Sequence, residues 1–411
     1  MNPDTQEQSP RVVVIGAGHG GGSVVAFLRQ YGFKGAITLI GDEPFLPYHR
    51  PPLSKAWLKG EVEEAALFFK PESFYAEQDI DLRLGQQVET LLVARRELVL
   101  VDGARVPYDK LVIATGATAR PLGLPGADAD NVMTLRNIAD AEKLKRALGP
   151  GKKVVIVGGG YVGLECAATA RFLGADVLLL ERAERLLERV ASAPIAAFLQ
   201  HYHAERGVVF ELGATVTGLE GGERAEQVVL ADGRRFPCDV VVVGIGAIPA
   251  TALAAAAGIA CDDGILVNEQ AETSEAGIYA IGDATRRDHP RYHRIRLESV
   301  PNAMEQAKLV ACAIVGRAPP AAEVVWFWSD QYDLKLQIAG LAVAGAQLVV
   351  RGDPATGKFA VFHLQDGRVK TVEAINAPQE FFAGKRMIGT DGSVDAGRLA
   401  DVSVPLSQIV A

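Results

Sequence analysis

Short apolar runs recur along the chain, and two of them end in glycine-rich loops. Val12–Ile15 leads into Gly16-Ala17-Gly18-His19-Gly20-Gly21, and Val154–Val157 leads into Gly158-Gly159-Gly160-Tyr161-Val162-Gly163. A short, continuous apolar run is typical of a strand that is buried on both faces of a parallel sheet. Each loop precedes a predicted helix, so the pattern predicts two strand–loop–helix units.

The segments that follow these two units also match one another. Each copy contains strands, an Asp-Gly hairpin turn and a buried apolar strand that ends in glycine. The matching segments are Ile80–Gly85, Glu97–Leu100 and Leu111–Gly116 in the first copy, and Val208–Gly213, Gln227–Leu230 and Val240–Gly246 in the second. The chain is therefore predicted to contain two homologous, doubly wound sheets, each with a small antiparallel insertion.

The second copy is predicted to interrupt the first. A strand over Gly277–Ala284 and a helix from Val300, with proline in its first turn, return to complete the first domain. Strand-like segments follow at Leu334–Ile338, Gln347–Arg351, Phe359–Leu364 and Arg368–Ile375. We predict an α/β fold with two Rossmann-like nucleotide-binding domains, residues 1–117 with 247–322 and residues 118–246, plus a C-terminal α+β domain, residues 323–411.

The composition mainly excludes certain functions and locations. The net charge of −8 argues against a nucleic-acid-binding surface over the whole molecule. No apolar run approaches the roughly 20 residues that span a bilayer. The segment Met1–Pro10 is polar and has no apolar signal core. We therefore expect a cytoplasmic protein.

The four cysteines are Cys166, Cys238, Cys261 and Cys312. None of them forms a short Cys-x-x-Cys spacing with another, so the sequence predicts neither a redox dithiol nor a zinc site. We expect four buried thiols in a reducing compartment. The sequence therefore argues against catalysis by a cysteine pair.

The glycine loops have a spacing that suits dinucleotides. The first glycine permits a tight turn, the second admits a pyrophosphate close to the backbone, and the third lets the helix pack on its strand. The helix N-terminus then presents free N–H groups and the positive end of its dipole. Asp42 and Glu43 follow the next strand in the first copy, and Glu181 does so in the second. A carboxylate there binds ribose hydroxyls and repels a 2′-phosphate, which favours FAD and NAD over NADP.

Longer segments carry a more specific resemblance. They are Arg50-Pro51-Pro52-Leu53-Ser54-Lys55, Glu298-Ser299-Val300-Pro301-Asn302-Ala303 and Trp326-Phe327-Trp328-Ser329-Asp330-Gln331. Together with the glycine loops, Ala114-Thr115-Gly116 and Ile281-Gly282-Asp283, they resemble the FAD-dependent, NADH-linked ferredoxin reductases of cytochrome P450 and ring-hydroxylating dioxygenase systems. The resemblance covers essentially the whole chain after the first ten residues. It implies a glutathione-reductase-like fold, FAD as the cofactor and NADH as a substrate.

The resemblance also implies roles for individual residues. The residues implied for FAD are Gly16, Gly18, Gly20, Asp42, Arg50, Lys55, Val88, Arg136, Asp283 and Val300. The residues implied for NADH are Gly158, Gly160, Gly163, Glu181 and Gly246. Glu165 would lie near the nicotinamide and pair with Lys55, and Trp328 would form a platform beside the two rings. Lys55, Glu165 and Trp328 are therefore the candidate catalytic residues.

The residue chemistry agrees with those roles. Hydride passes between two cofactors, so the protein supplies position, electrostatics and exclusion of water, and no metal is required. The helix from Val300 would direct its positive end at the reduced flavin, a stabilisation of about 0.3–1 kcal/mol. We expect Trp326 in the core and His19 to have no catalytic role. His201 and His203 lie in a predicted polar helix and are expected at the solvated surface.

A basic stretch bears on the electron acceptor. It contains Arg286, Arg287, Arg291, Arg294 and Arg296, with His289 and His293 among them and Lys308 beyond. On an acidic chain this excess of positive charge predicts a docking site for an acidic [2Fe–2S] ferredoxin, with association rates that fall as salt rises. The alternative is a solvated basic loop that is paired with local acids.

Three functions remain open at this point. The favoured one is an NADH–ferredoxin reductase, in which two electrons enter as hydride and leave singly. The second is an NADH-dependent flavoenzyme with another acceptor, such as oxygen or rubredoxin. The third is a non-enzymatic flavoprotein that senses NADH. The sequence leaves open which ferredoxin, oxygenase and organic substrate would lie downstream.

Overall fold

The computed structural model describes residues 10–409. Its strands are β1 (Val12–Ile15), β2 (Ile37–Gly41), β3 (Ile80–Leu84), β4 (Val88–Leu92), β5 (Glu97–Leu100), β6 (Arg105–Pro107), β7 (Lys110–Ile113), β8 (Ala117–Ala119), β9 (Val132–Met133), β10 (Lys153–Val157), β11 (Asp176–Leu180), β12 (Val208–Glu211), β13 (Val216–Gly221), β14 (Ala225–Leu230), β15 (Arg235–Pro237), β16 (Val240–Val243), β17 (Ala247–Pro249), β18 (Ile265–Val267), β19 (Ile278–Ala280), β20 (Thr285–His289), β21 (His293–Ile295), β22 (Trp326–Gln331), β23 (Leu334–Gly340), β24 (Gln347–Asp353), β25 (Lys358–Gln365) and β26 (Arg368–Ile375).

The helices in the same part of the chain are α1 (His19–Gln30), α2 (Ala56–Lys59), α3 (Glu72–Glu77), α4 (Ile138–Ala147), α5 (Tyr161–Phe172), α6 (Ala193–Ala204), α7 (Ala252–Ala256), α8 (Val300–Val315), α9 (Pro378–Thr390) and α10 (Ala396–Ala400). Within residues 10–409, none of these helices has the length and apolar character needed to cross a membrane. The expectation for the polar N-terminal segment falls mostly on positions 1–9, which lie outside the described residues.

Two compact units make up the chain. The first is drawn from Met1–Arg50, Glu63–Thr118 and Ile248–Glu323, and the second from Pro51–Val62, Ala119–Ala247 and Val324–Ala411. The short segment Pro51–Val62 thus belongs by its contacts to the second unit. The division into three domains at the boundaries given above stays a prediction.

A five-stranded parallel sheet in the order β19-β7-β1-β2-β3 forms the centre of the first unit. Its middle strand β1 places Val14 opposite Leu39 and Val112. All four residues of β1 are buried, as expected for a parallel strand that is covered on both faces. Helices α1 and α8 pack on one face, and the antiparallel sheet β4-β5-β6 contributes to the core on the other.

Local sequence explains where α8 begins and ends. The Ser299 hydroxyl accepts a hydrogen bond from the backbone N–H of Asn302, and Pro301 lies in the first turn. Both features favour a helix start, because the first N–H groups have no partner within the helix. Gly316 ends the helix with a φ of 71°, which glycine adopts without a steric penalty.

The second unit contains an equivalent parallel sheet in the order β12-β11-β10-β16-β9, together with the antiparallel sheet β13-β14-β15. Strand β10 places Val155 opposite Leu178 and Val241. Helix α5 is buried from Gly163 to Ala170 without interruption. This helix lies between the parallel sheet and the C-terminal strands, and side chains from all three share one core cluster.

The C-terminal strands form an antiparallel sheet in the order β22-β23-β26-β25-β24. Along β25, Phe359 and Val361 join the core that includes α5, whereas Ala360 and Phe362 join a second core that includes α9. This alternation follows the two-residue period of a strand. The four strands that the sequence predicted after residue 321 are present, and the predicted fold class is confirmed.

The second C-terminal core supports a stability prediction. Phe362→Ala removes a side chain with 0% exposure, and we expect the free energy of unfolding of its unit to fall by about 3–5 kcal/mol. Urea denaturation followed by circular dichroism measures this change. The control is Leu348→Ala on the neighbouring strand, where the side chain is 41% exposed and a loss within about 0.5 kcal/mol is expected. Equal losses for both variants would contradict the assignment of Phe362 to this core.

Candidate functional site

Both glycine loops turn sharply between a strand and a helix. Gly16 has a φ of 103° and Gly158 a φ of 111°, in the region that favours glycine. A Cβ at Gly16 would lie 2.2 Å from the carbonyl oxygen of Ala114, and a Cβ at Gly158 would lie 2.5 Å from that of Gly244. The first glycine of each loop is therefore required by both the backbone angle and the close approach of a neighbouring strand.

The glycine that lets each helix pack on its loop is Gly21 in the first unit and Gly163 in the second. A Cβ at Gly21 would lie 1.9 Å from the carbonyl oxygen of Gly16, and one at Gly163 would lie 2.2 Å from that of Gly158. Gly20, which the sequence analysis chose, instead faces the side chain of Ile281 at 3.0 Å. The spacing of the first loop could have identified Gly21, because Gly16, Gly18 and Gly21 have the same spacing as Gly158, Gly160 and Gly163.

The middle glycines, Gly18 and Gly160, border open space. A Cβ at Gly18 would meet only the Arg50 guanidinium, at 3.8 Å, and one at Gly160 would meet only the carbonyl oxygen of Gly244, at 3.9 Å. Both residues precede a helix, and neither helix start has a side-chain cap among the described residues. Open backbone beside uncapped N–H groups suits a pyrophosphate, so the residues present fit two dinucleotides.

The acidic residues that follow β2 and β11 have different surroundings. Glu181 accepts hydrogen bonds from the backbone N–H of Gly159, at 2.6 Å, and of Ala183, at 2.8 Å. It therefore holds the second glycine loop. In the first unit Asp42 is exposed at the end of β2.

Glu43 orders the side chain that borders the first glycine loop. Its carboxylate accepts hydrogen bonds from the Tyr48 hydroxyl, at 2.7 Å, and from Arg50, at 2.9 Å. The Arg50 guanidinium also lies over the Tyr48 ring, 5.1 Å from its centre. Arg50 is thus fixed beside Gly18, where a negatively charged pyrophosphate would lie.

The remaining candidates of the first unit lie at the ends of elements. Asp283 is half-buried in the turn after β19. Gln306 on α8 accepts hydrogen bonds from the Gly282 N–H, at 2.7 Å, and from the Thr285 hydroxyl, at 3.2 Å. Gln306, which sequence reasoning missed, therefore ties the Asp283 turn to the helix that begins at Val300. Val88 is half-buried at the start of β4.

A buried ion pair forms the centre of the second unit's candidate site. The Lys55 ammonium lies 2.6 Å from Glu165 Oε2, with 18% and 7% of the two side chains exposed. Ser54 Oγ donates to the same oxygen at 2.6 Å, and Ser329 Oγ donates to Oε1 at 2.6 Å. Burying a carboxylate is costly unless donors surround it, and here three donors do so.

Ser54 and Ser329 were missed by the sequence analysis, although each lies inside a segment that carried the family resemblance. Ser54 precedes Lys55 directly, and Ser329 follows Trp328. Their role depends on their contact with Glu165, which lies more than a hundred positions away from each of them along the chain.

The other residues predicted for this unit lie on strand β22 and in loops. Trp328 is half-buried, and its ring lies 5.6 Å from that of Trp326. Trp326 is also only half-buried, with Phe381 and Lys385 against its ring, so its predicted core position is only partly met. The backbone N–H of Arg136 donates to Asp140 at 2.9 Å. Gly246 has a φ of 105°, and a Cβ there would meet no described atom within 4 Å.

His203 contradicts its predicted surface position. It is fully buried on α6, whereas His201 on the same helix is exposed, as predicted. Burial lowers the pKa of His203 to about 4, so the ring is neutral at physiological pH. Its Nε2 lies 2.8 Å from Gln331 Oε1. The polar residues around His203 in the sequence concealed the core-facing side of the helix.

The basic stretch is largely neutralised. Arg287 is buried and paired with Glu305 at 2.9 Å, so its prediction as a partner contact is wrong. His289 is buried too, and burial lowers its pKa to about 4. The other ion pairs of this stretch are Arg286 with Asp262, Arg294 with Asp288, Arg296 with Asp263 and Glu298, and Lys308 with Glu323. Among the five arginines, Arg291 and Arg294 are exposed.

The structure adds two further facts about reactive groups. All four cysteines are free; Cys166, Cys238 and Cys312 are buried, whereas Cys261 is half-buried rather than buried as predicted. Among residues 10–409, no group of His, Cys, Asp and Glu side chains is placed to hold a metal ion.

Comparison with known proteins relates the whole chain to one class of enzyme. Residues 10–307 match the family model described as pyridine nucleotide-disulphide oxidoreductase, and residues 326–410 match the model described as reductase C-terminal. The chain is 46% identical over 402 residues to a probable ferredoxin reductase of Castellaniella defragrans, covering 97% of this chain and 98% of that protein. It is 42% identical over 407 residues to the putidaredoxin reductase of Pseudomonas putida, covering 97% and 96%.

A solved structure agrees with these matches. The covalent complex of putidaredoxin reductase with putidaredoxin superimposes with a TM-score of 0.94 at 41% identity, covering 97% of each chain. At this identity the likeness extends to sequence as well as to fold.

The position of Glu181 leads to a prediction about nucleotide choice. Glu181→Ala removes the carboxylate that holds Gly159 and that would bind the adenosine ribose, so NADH should bind about tenfold more weakly, the loss of one charged hydrogen bond. The preference for NADH over NADPH should narrow, and FAD should stay bound. Steady-state kinetics with both coenzymes and the flavin absorbance measure these effects. The exposed Glu188→Ala is the control; an unchanged affinity for NADH in Glu181→Ala would place the coenzyme elsewhere.

Proposed function

This chain belongs to the pyridine nucleotide-disulphide oxidoreductase family, and from that membership we propose that it passes electrons from NADH through FAD to a ferredoxin. It is an oxidoreductase whose cofactors are FAD and NAD(H). The ferredoxin would serve a cytochrome P450 or a ring-hydroxylating dioxygenase. A cytoplasmic location stays a prediction.

One observation carries this proposal: the chain repeats the same dinucleotide loop in both units. Two dinucleotides in one chain favour electron transfer between them. Because no two of the four cysteines share a Cys-x-x-Cys spacing, we assign the electron transfer to the cofactors. The ferredoxin complex of the related reductase supports a one-electron protein acceptor.

The two loops are assigned different nucleotides. We assign FAD to the first loop, where Arg50 borders the backbone at Gly18, with Asp42 toward the adenosine ribose and Asp283 toward the ribityl chain. We assign NADH to the second loop, where Glu181 is the acid. The uncapped helix starts and the open middle glycines support a diphosphate at each loop, and the choice between FAD and NADH rests on the family resemblance.

Lys55 and Glu165 have a defined part in this function. Hydride transfer is chemistry that the bound coenzyme and flavin supply themselves, and the protein positions them and sets the local charge. Lys55 provides a positive charge, which favours the accumulation of negative charge nearby. Glu165 holds the ammonium at 2.6 Å and thereby limits the positions that Lys55 can adopt. Trp328, half-buried and backed by Trp326, is assigned to shield the reacting rings from water.

The partner is proposed to be an acidic [2Fe–2S] ferredoxin. The support for an electrostatic contact is the exposed part of the basic stretch, Arg291 and Arg294. Because Arg294 shares its charge with Asp288 at 3.1 Å, the attraction would be moderate and sensitive to salt. Arg287 is excluded, since its side chain is buried.

The choice between acceptors is tested with the purified flavoprotein. After reduction by NADH in air, we expect slow consumption of oxygen and fast reduction of an added acidic [2Fe–2S] ferredoxin, at a rate that falls as salt rises. An oxygen electrode and the ferredoxin absorbance measure the two rates. Rapid oxygen consumption that ferredoxin does not change would favour an oxidase instead.

The docking residues are tested by charge reversal. Combining Arg291→Glu with Arg294→Glu should slow ferredoxin association by about tenfold at low salt and remove most of its salt dependence. Stopped-flow measurements of ferredoxin reduction report the rate. The control is Arg146→Glu, which reverses a charge whose side chain is 70% exposed on α4 in the other unit. If the control slows association as much as the double variant does, total charge rather than this surface decides the rate.

A further inference from the structure

A chain of hydrogen bonds continues behind the Lys55–Glu165 pair into the core of the second unit. Ser329 Oγ donates to Glu165 at 2.6 Å and accepts from Gln331 Nε2 at 3.1 Å. Gln331 Oε1 then lies 2.8 Å from His203 Nε2. Of the four residues, Ser329 and His203 are 0% exposed, Gln331 2% and Glu165 6%. The hydrogen-bond chain therefore runs from the ion pair to helix α6 through buried side chains.

The direction of every bond in this chain follows from its carboxylate end. An ionised carboxylate only accepts hydrogen bonds, so the single hydroxyl hydrogen of Ser329 is directed at Glu165. Ser329 must then accept from Gln331, which orients the carboxamide with its NH₂ group toward Ser329. The carboxamide oxygen faces His203 as an acceptor, so His203 must donate from Nε2. One tautomer of one buried histidine is thereby linked to the orientation of Glu165.

The state of His203 agrees with this assignment. Burial lowers its pKa to about 4, which keeps the ring neutral and leaves it a single N–H hydrogen to donate. Its Nδ1 has no hydrogen-bond partner among the described residues, so a second N–H there would be buried and unpaired. Tyr332 packs against the imidazole edge-on, with ring centres 4.9 Å apart, and fixes the plane of the ring.

The hydrogen-bond chain from Glu165 to His203 is suited to holding the Glu165 side chain in place rather than to transporting a proton. The carboxamide of Gln331 lies in its middle, and a carboxamide has fixed donor and acceptor ends. Glu165 is held on its opposite side as well, because Ser54 Oγ donates to Oε2 and the Ser54 carbonyl accepts from Thr169 at 2.8 Å. Both carboxylate oxygens are thus fixed from segments that are distant in sequence.

We propose that Gln331 and His203 are positioning residues that, through Ser329, hold Glu165 and hence Lys55 in the geometry required for hydride transfer. The inference rests on the proposed function, since it assigns a reason to the precise placement of the ion pair. A positional error of about 1 Å can cost up to a hundredfold in rate. A single displaced hydrogen bond two residues away from the pair should therefore have a smaller, measurable effect.

The test compares variants that differ in one hydrogen-bond group. Gln331→Leu and His203→Leu break the hydrogen-bond chain, whereas His203→Gln keeps an amide N–H close to the position of Nε2. Stopped-flow reduction of the flavin by NADH should slow by about tenfold in the two leucine variants, with the NADH dissociation constant changed less than twofold. His203→Gln should recover most of the rate. The control is His201→Gln on the same helix, with a side chain 73% exposed, which should behave as the wild type.

A second measurement does not depend on activity. Nitrogen-15 spectra of histidine-labelled protein should show His203 as the neutral Nε2–H tautomer down to about pH 5. Gln331→Leu should shift the Nε2 resonance of His203, because its acceptor is removed. Melting temperatures of all variants identify a loss that is due only to misfolding.

The outcomes separate this inference from the function on which it rests. If Lys55→Met slows flavin reduction but Gln331→Leu and His203→Leu do not, the positioning role is refuted and the proposed function stands. If Lys55→Met also leaves the rate unchanged, the proposed role of the ion pair fails. A His203→Gln variant as slow as His203→Leu, or a His203 Nδ1–H tautomer, would overturn the inference by itself.

Discussion

Burial of the Glu165 carboxylate is the constraint on which the second unit's candidate site depends. A charged group removed from water needs compensating donors, and an unpaired one would be strongly destabilising. Lys55, Ser54 and Ser329 supply those donors at 2.6 Å each. The cost of the carboxylate thus determines which side chains surround it. Because the donors come from two segments that are far from Glu165 in the sequence, Ser54-Lys55 and Ser329, folding of the unit and assembly of the ion pair are the same event.

Backbone geometry and charge also constrain the two glycine loops. Steric contact at Gly16 and Gly158 requires glycine, and the open space at Gly18 and Gly160 allows close approach to the backbone. The repeated geometry agrees with descent of both units from one ancestral strand–loop–helix design. What distinguishes the copies is their side chains: Arg50 borders the first loop, whereas Glu181 holds the second.

Charge on the surface follows a different rule. The arginines between β19 and α8 are conspicuous in the sequence, yet most of them lie within hydrogen-bond distance of an acid. An exposed pair contributes little to stability, and it also weakens the field that a partner would encounter. A count of basic residues therefore overstates the attraction, because acids from the same stretch (Asp288), from helix α8 (Glu305) and from another loop (Asp262, Asp263) neutralise them.

The sequence by itself determined local features: the strand–loop–helix units, the glycine loops and four of the five strands of the C-terminal sheet. Each of these depends on residues that are close together in the chain, where periodicity and turn chemistry are decisive. Only the tertiary structure decided the long-range contacts. It buried His203 and Arg287, which looked solvated, and it brought Ser329 to Glu165. A side chain's environment depends on segments that come together only when the core forms, so the local sequence pattern does not determine it.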